Sequence, residues 1–195
     1  MNTDTNESQK DGGAALFANA TPIETIHVEQ LADIFKGAGY RVTAAEFDGN
    51  VQLMSASQGV GFTVRFGNPA PADAADSAAP AAFFDYTLSC ALQVQGELPA
   101  ELVPTWNRTK RFARLSAHQQ FLVLEMDVVV AGGVSERHIR SMIELWDRLI
   151  QEFLLHLRNR PVFAAAEQAA TGSGATSAAT EEKAAPKDPA NPTLQ

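Results

Sequence analysis

The chain has 195 residues, a formal net charge of −8 and a single cysteine, Cys90. No stretch approaches 18 consecutive apolar residues, which excludes a transmembrane helix, and one cysteine excludes both an intramolecular disulfide and a metal site built from cysteines. The acidic balance argues against general nucleic-acid binding and against an anionic membrane surface, because both require a basic field. The polar start MNTDTNESQK has no basic-then-apolar secretion signal, so we expect a cytoplasmic protein.

Three segments contain almost no large apolar residues and are expected to lie outside the folded core. They are 1–19, 67–82 and 164–195, and each has a net charge of −2. Such a composition is typical of disorder, so we expect a disordered N-terminal segment, a flexible insertion and a disordered alanine-rich tail. The remaining residues are enough for one domain with a sizeable core, which we place at 20–163.

In the first half of the domain, the pattern predicts one amphipathic helix and then strands. Thr21 and Thr25 are both suitable N-caps for this helix, and Gly37 or Gly39 ends it. Alternating apolar and polar residues then predict four strands, near 40–45, 51–56, 60–66 and 84–94.

In the second half, the pattern predicts a helix near 104–113, strands near 113–118 and 121–130, and a long final helix. Ser135 caps this last helix and Pro161 ends it. Its apolar residues form one wide stripe: Ile139, Met142, Ile143, Trp146, Leu149, Ile150, Phe153 and Leu157. Burial of each large side chain contributes roughly 1.5–3 kcal/mol, so we expect this helix to anchor the fold.

The element order α-β-β-β-β-α-β-β-α predicts an α+β fold. Because every strand alternates, we expect an antiparallel sheet of about five to six strands, with three helices packed on one face. The other face is then uncovered. Alternation gives that face mostly small and polar residues with charges of both signs: Arg41, Thr43, Gln52, Met54, Thr63, Arg65, Asp85, Thr87, Ser89, Gln93, Val123, Glu125 and Asp127.

The segment TWNRTKRFAR at 105–114 resembles the "WN…RF" signature of the YbjN family, bacterial proteins labelled sensory transduction regulators. The segments GAGYRV at 37–42 and LEMDVVVAGGV at 124–134 agree with this resemblance, which covers about 26–156. The family is similar in fold to type III secretion chaperones, which combine an antiparallel sheet with helices and commonly form dimers. The resemblance implies no reaction and no catalytic residues, and a chaperone-like role would rest on analogy of fold.

The histidines and the cysteine do not indicate a catalytic or metal site. No two of the four histidines are three or four residues apart, whereas a zinc site needs at least three converging ligands. Cys90 alternates with Leu88 and Leu92 on the apolar face, which predicts a buried thiol with a raised pKa. No nucleotide-binding or nucleophile motif is present in the sequence. We therefore expect no enzyme, no cofactor and no metal.

Glu125 and Asp127 are two residues apart on one strand, so their side chains share a face. Two such carboxylates can form an acid–base pair. They can also form ion pairs with arginines on neighbouring strands, and Arg41 and Arg65 are suitable partners. We favour the ion pairs.

Four basic residues surround two aromatic ones in the signature segment: Arg108, Lys110, Arg111 and Arg114 beside Trp106 and Phe112. Basic and aromatic residues together are typical of single-stranded nucleic-acid binding. On a helix, however, these cations would spread around the surface, and Trp106 would pack on the sheet. The chain is also acidic, so we favour a docking patch for an acidic protein segment.

The leading hypothesis is a non-enzymatic protein-binding module: a regulator, adaptor or chaperone-like protein. It would bind a partner segment through the open sheet face or the Trp106 helix, and the partner can be a second copy of the chain. The candidate partner-binding residues are Arg41, Arg65, Asp85, Trp106, Arg108, Arg111, Glu125 and Asp127. Two alternatives are a small-molecule sensor with an apolar pocket lined by Phe62, Tyr86 and Trp146, and an enzyme that uses Glu125 and Asp127.

Overall fold

The computed structural model describes residues 21–71 and 80–159, together with positions 161, 162, 164, 165 and 168. Residues 1–20, the middle of the insertion at 72–79 and the chain from 169 onward lie outside the described residues. The disorder predicted for these parts therefore stays a prediction.

The described residues form three helices and eight strands. The helices are Val28–Gly37 (α1), Leu102–Thr109 (α2) and Glu136–Arg158 (α3). The strands are Ile26–His27 (β1), Thr43–Phe47 (β2), Asn50–Ser57 (β3), Val60–Phe66 (β4), Ala82–Phe83 (β5), Asp85–Gln93 (β6), Arg114–His118 (β7) and Phe121–Val129 (β8).

Six of these strands form one antiparallel sheet in the order β2-β3-β4-β6-β8-β7, and β1 and β5 form a separate antiparallel pair. Tight turns join β2 to β3 and β3 to β4. In the first turn, Asp48 and Gly49 both have positive φ, as a two-residue hairpin with the twist of its strands requires. The predicted α+β class is confirmed, and the likeness to type III secretion chaperones stays a prediction.

The first helix begins later than predicted. Ile26 and His27 are extended and pair with residues 82 and 83, so His27 takes the N-cap position without a side-chain cap bond. The predicted caps Thr21 and Thr25 are therefore wrong. Ile26 is fully buried, and this burial together with strand pairing overrides the local capping preference.

The core lies between the helices and one face of the six-stranded sheet. Most of the apolar stripe predicted on α3 is buried, while Met142 and Leu157 are partly buried at its edge. The ring of Trp146 meets that of Phe62 edge to face, with centroids 6.0 Å apart. Since the helices cover this face, the functional residues must be sought on the other face and on the outer helix surfaces.

Candidate functional site

The strand registers show which side chains share the sheet face that the described helices leave uncovered, which we call the open face. One row across five strands is Ala45, Gln52, Arg65, Thr87 and Asp127. The next row is Thr43, Met54, Thr63, Ser89, Glu125 and Arg114. The alternation that predicted this face is thus present in the sheet.

Exposed apolar side chains flank the polar centre of the open face. Phe47 is 66% exposed and Met54 is 50% exposed, and both line a shallow cavity of about 390 Å³ next to Arg65. Phe121 and Val129 are also exposed, at opposite ends of β8. Four of the eight exposed large apolar residues in the described part of the chain therefore lie on this face, which is typical of an interaction surface.

An ion-pair network occupies the middle of the open face. Arg65 pairs with Glu125, and Arg114 pairs with both Glu125 and Asp127. The guanidinium of Arg114 lies 3.2 Å from Glu125, and the hydroxyl of Thr87 donates to Asp127 over 2.7 Å. The two arginines and two carboxylates neutralise each other, so the network has no net charge.

The network supports ion pairing over acid–base chemistry for Glu125 and Asp127. The hydrogen bond from Arg114 holds the pKa of Asp127 below its usual value, although partial burial acts in the opposite direction. The same bond raises the pKa of the Arg114 guanidinium. A carboxylate that stays ionised to lower pH is poorly suited to exchange protons near neutrality.

Arg114 is a member of this network that the sequence pattern does not indicate. The pattern offers Arg41 or Arg65 as partners of the carboxylates and places Arg114 in the basic cluster of the helix. Arg114 instead begins β7, directly opposite Glu125 on β8. The alternation of Arg114, Ser116 and His118 in β7 was a signal for its face, but the pairing of β7 with β8 at this register was not visible.

Two predicted open-face residues lie away from the network. Arg41 precedes β2 and borders a cavity of about 690 Å³ that also contains Asp147. The side chain of Asp85 lies against the start of the insertion. Its carboxylate accepts hydrogen bonds from the side-chain amide and the backbone N–H of Asn68, at 2.5 and 3.3 Å. Asp85 thus holds the insertion against the sheet.

The Trp-Asn pair of the signature segment joins α2 to β7. Trp106 is fully buried, and its indole Nε1 donates to the carbonyl of Ala113 over 3.1 Å. The side chain of Asn107 donates to the carbonyl of Leu115 and accepts from its amide, both over 2.9 Å. Trp106 therefore has no exposed surface that a partner could contact. Its hydrogen bond positions the residues that follow it.

The basic residues after Trp106 line a groove between the end of α2 and the outer face of α3. This groove has a volume of about 370 Å³ and is lined by Thr109, Lys110, Arg111, Phe112, Leu145, Arg148, Leu149 and Glu152. Lys110 pairs with Glu152 at 2.7 Å, whereas Arg108 lies 3.6 Å from Glu101. The predicted basic cluster is thus divided, because Arg114 belongs to the open face.

The three residues predicted to line a small-molecule pocket all lie inside the core. Phe62, Tyr86 and Trp146 are at most 3% exposed. Burial raises the pKa of the Tyr86 hydroxyl. Within the described part of the chain, the Tyr86 hydroxyl and the Trp146 indole N–H are buried without a hydrogen-bond partner.

The cysteine and histidines contribute no site in the described residues. Cys90 is buried, and this burial raises the pKa of its thiol to about 11, as expected for a core cysteine. His138 is exposed, and His156 is buried against the carbonyl of Leu102 at 2.8 Å. No three His, Cys, Asp or Glu side chains of the described ranges converge as metal ligands would.

Comparison with known proteins identifies the family. The model of the YbjN family, described as "Putative bacterial sensory transduction regulator", matches residues 27–159. The chain belongs to the YbjN family. The matched residues span the six-stranded sheet and all three helices of this regulator family. A search of curated proteins gives no match. Within the described part of this YbjN protein, no helix is both long and apolar enough to cross a membrane.

Proposed function

We propose that this YbjN protein is a non-enzymatic regulatory module of the bacterial cytoplasm that binds a partner protein through its open face. The observation that carries the proposal is the exposed apolar border of that face. Phe47, Met54, Phe121 and Val129 surround the neutral ion-pair network. A polar centre with apolar side chains around it is a surface that a folded partner or a partner segment can cover.

The network suits burial in an interface because each of its charges already has a partner. An unpaired charge that is buried on binding strongly weakens association. Arg65 and Arg114 balance Glu125 and Asp127 in the free protein, so a partner need not supply compensating charges. This favours a partner surface that is itself mostly polar and uncharged, with apolar side chains to contact Phe47 and Met54.

A second copy of the chain is one form that the partner can take. A flat open face can pack on its own copy around a twofold axis. Among the residues that the structure describes, the outer strands β2 and β7 also have one unpaired edge each, where a partner segment could add a strand. The composition of the captured complex distinguishes a heterologous partner from a homodimer.

A small-molecule sensor is the second candidate function. The observation in its favour is the pair of unpartnered buried groups, the Tyr86 hydroxyl and the Trp146 indole N–H, within the described residues. Buried polar groups usually have a hydrogen-bond partner, which a small polar ligand that reaches either group would supply. A metabolite that raises the melting temperature of the protein would favour this candidate.

The proposal predicts that a double charge reversal, Arg65→Glu with Asp127→Arg, removes the partner. It leaves the net charge unchanged but places like charges together at both ends of the network. We expect affinity capture from the bacterial cell, quantified by mass spectrometry, to recover the partner with the wild-type protein and at least about tenfold less with this variant.

The matched control reverses an ion pair on the helix side. Arg140 and Glu136 lie 2.7 Å apart on α3, and Glu136→Arg with Arg140→Glu is again neutral in net charge. This control should recover the partner at the wild-type level. If the open-face variant folds, as judged by circular dichroism, and also retains the partner fully, the open face is not the binding surface.

A further inference from the structure

The groove between α2 and α3 is a second surface with its own chemistry. Three cations line it, namely Lys110, Arg111 and Arg148, against one carboxylate, Glu152. Lys110 is already paired with Glu152 at 2.7 Å. Arg148 is exposed and pairs with no acidic side chain of the described residues. The groove is therefore basic on a chain whose net charge is −8.

Phe112 forms an exposed aromatic wall of this groove. Its side chain is 65% exposed, and the guanidinium of Arg111 lies over its ring at 5.1 Å from the centroid. Its φ is +73°, a left-handed conformation that is strained for a bulky residue. Such strain persists where the surrounding structure imposes it and is concentrated at functional positions. The bonds of Trp106 to Ala113 and of Asn107 to Leu115 impose it here, since they tie the residues before Phe112 to those after it.

We propose that this groove binds an acidic segment of a partner protein, with an apolar side chain of that segment placed against Phe112. Arg111 and Arg148 would pair with its carboxylates, and Leu145 on the groove wall would contact its apolar residue. Charge complementarity selects this occupant, because arginine forms two parallel hydrogen bonds with a carboxylate. The inference goes beyond the open-face proposal, since its residues lie on the helix side of the sheet.

The test uses the full chain and a fluorescein-labelled peptide of Glu-Glu-Leu repeats in fluorescence anisotropy. We expect saturable binding that weakens as salt concentration rises. Arg111→Glu and Arg148→Glu should each weaken binding, and the two combined should weaken it roughly tenfold or more. Arg137→Glu, an exposed arginine on the first turn of α3, is the charge control for each single reversal and should change affinity less than twofold.

Two further variants and one control separate binding from folding. Glu152→Gln removes the groove carboxylate and frees Lys110 from its ion pair, so binding should strengthen by roughly threefold. Phe112→Gly removes the aromatic wall and relieves the positive φ, so binding should weaken while thermal stability is retained. Gln119→Gly relieves another positive φ, in the β7–β8 turn, and should leave binding unchanged.

The outcomes that overturn the proposal are specific. The proposal is wrong if the wild-type chain shows no saturable binding of the peptide. It is also wrong if the groove reversals and Arg137→Glu lower the affinity for the peptide equally. Tighter binding of oligothymidylate than of the peptide, with the same dependence on Arg111 and Arg148, would assign the groove to single-stranded nucleic acid instead. Failure of this test leaves the open-face proposal standing, because no open-face residue is changed in it.

Discussion

Replacing Trp106 with alanine is expected to lower the free energy of unfolding by about 3–5 kcal/mol. The indole is fully buried, and its ring meets those of Phe153 and His156 at centroid distances of 5.9 and 5.5 Å. The substitution removes these contacts and leaves the carbonyl of Ala113 without its donor. A loss of this size is a large part of the roughly 5–15 kcal/mol that separates folded from unfolded domains.

Urea denaturation followed by circular dichroism measures this effect. Trp106→Phe keeps an aromatic ring and should lose less of the free energy of unfolding. This variant still gives a measurable change if the alanine variant does not fold. Arg108→Ala changes an exposed side chain two residues away and should alter stability by less than about 0.5 kcal/mol. A Trp106→Ala variant within about 1 kcal/mol of wild type would contradict the structural role.

This result changes how Trp106 variants are used in partner searches. A partner lost with Trp106→Ala would reflect unfolding of α2 and β7, since the indole itself is inaccessible. Variants of exposed residues are therefore the informative ones for the binding surface.

The largest functional effect is expected for Met54→Glu on the open face. Met54 is half exposed beside Phe47, so the substitution should change the free energy of unfolding by no more than about 0.5 kcal/mol. In an interface, the new carboxylate would lose its bound water beside Phe47 and beside Arg65, whose guanidinium is already paired with Glu125. We expect the affinity for the partner to fall about 100-fold.

Isothermal titration of the captured partner with each variant measures this loss. Leu155→Glu is the matched control, because Leu155 is 55% exposed on α3 and undergoes the same chemical change on the helix side. Its affinity should equal that of wild type. Equal affinities of Met54→Glu, Leu155→Glu and wild type would place the partner elsewhere on the protein.

Local patterns predicted the helices, the main strands and the composition of the open face. Alternation in β4 and β8 assigns Arg65, Glu125 and Asp127 to one face, and the structure brings Glu125 and Arg65 into contact. The apolar stripe of α3 likewise identified the residues that cover the sheet. These features depend on spacing along one element, which a sequence displays directly.

Features that depend on pairing between distant segments were not visible in the sequence. Ile26 and His27 are extended because residues 82 and 83 pair with them. Arg114 joins the network because β7 lies beside β8 in one particular register. The left-handed backbone of Phe112 follows from the bonds between α2 and β7 on either side of it. Tertiary contacts of this kind override local preference.

The central claim is that a partner covers the open face, and site-specific photocrosslinking in the bacterial cell tests it most directly. Benzoylphenylalanine would replace Phe47, which is 66% exposed on that face, and in a separate variant Leu155 on α3. The account predicts a covalent adduct of defined mass from position 47 and none of that mass from position 155. An adduct from position 155 alone would contradict it, as would a position 47 variant that forms none while the protein still captures its partner.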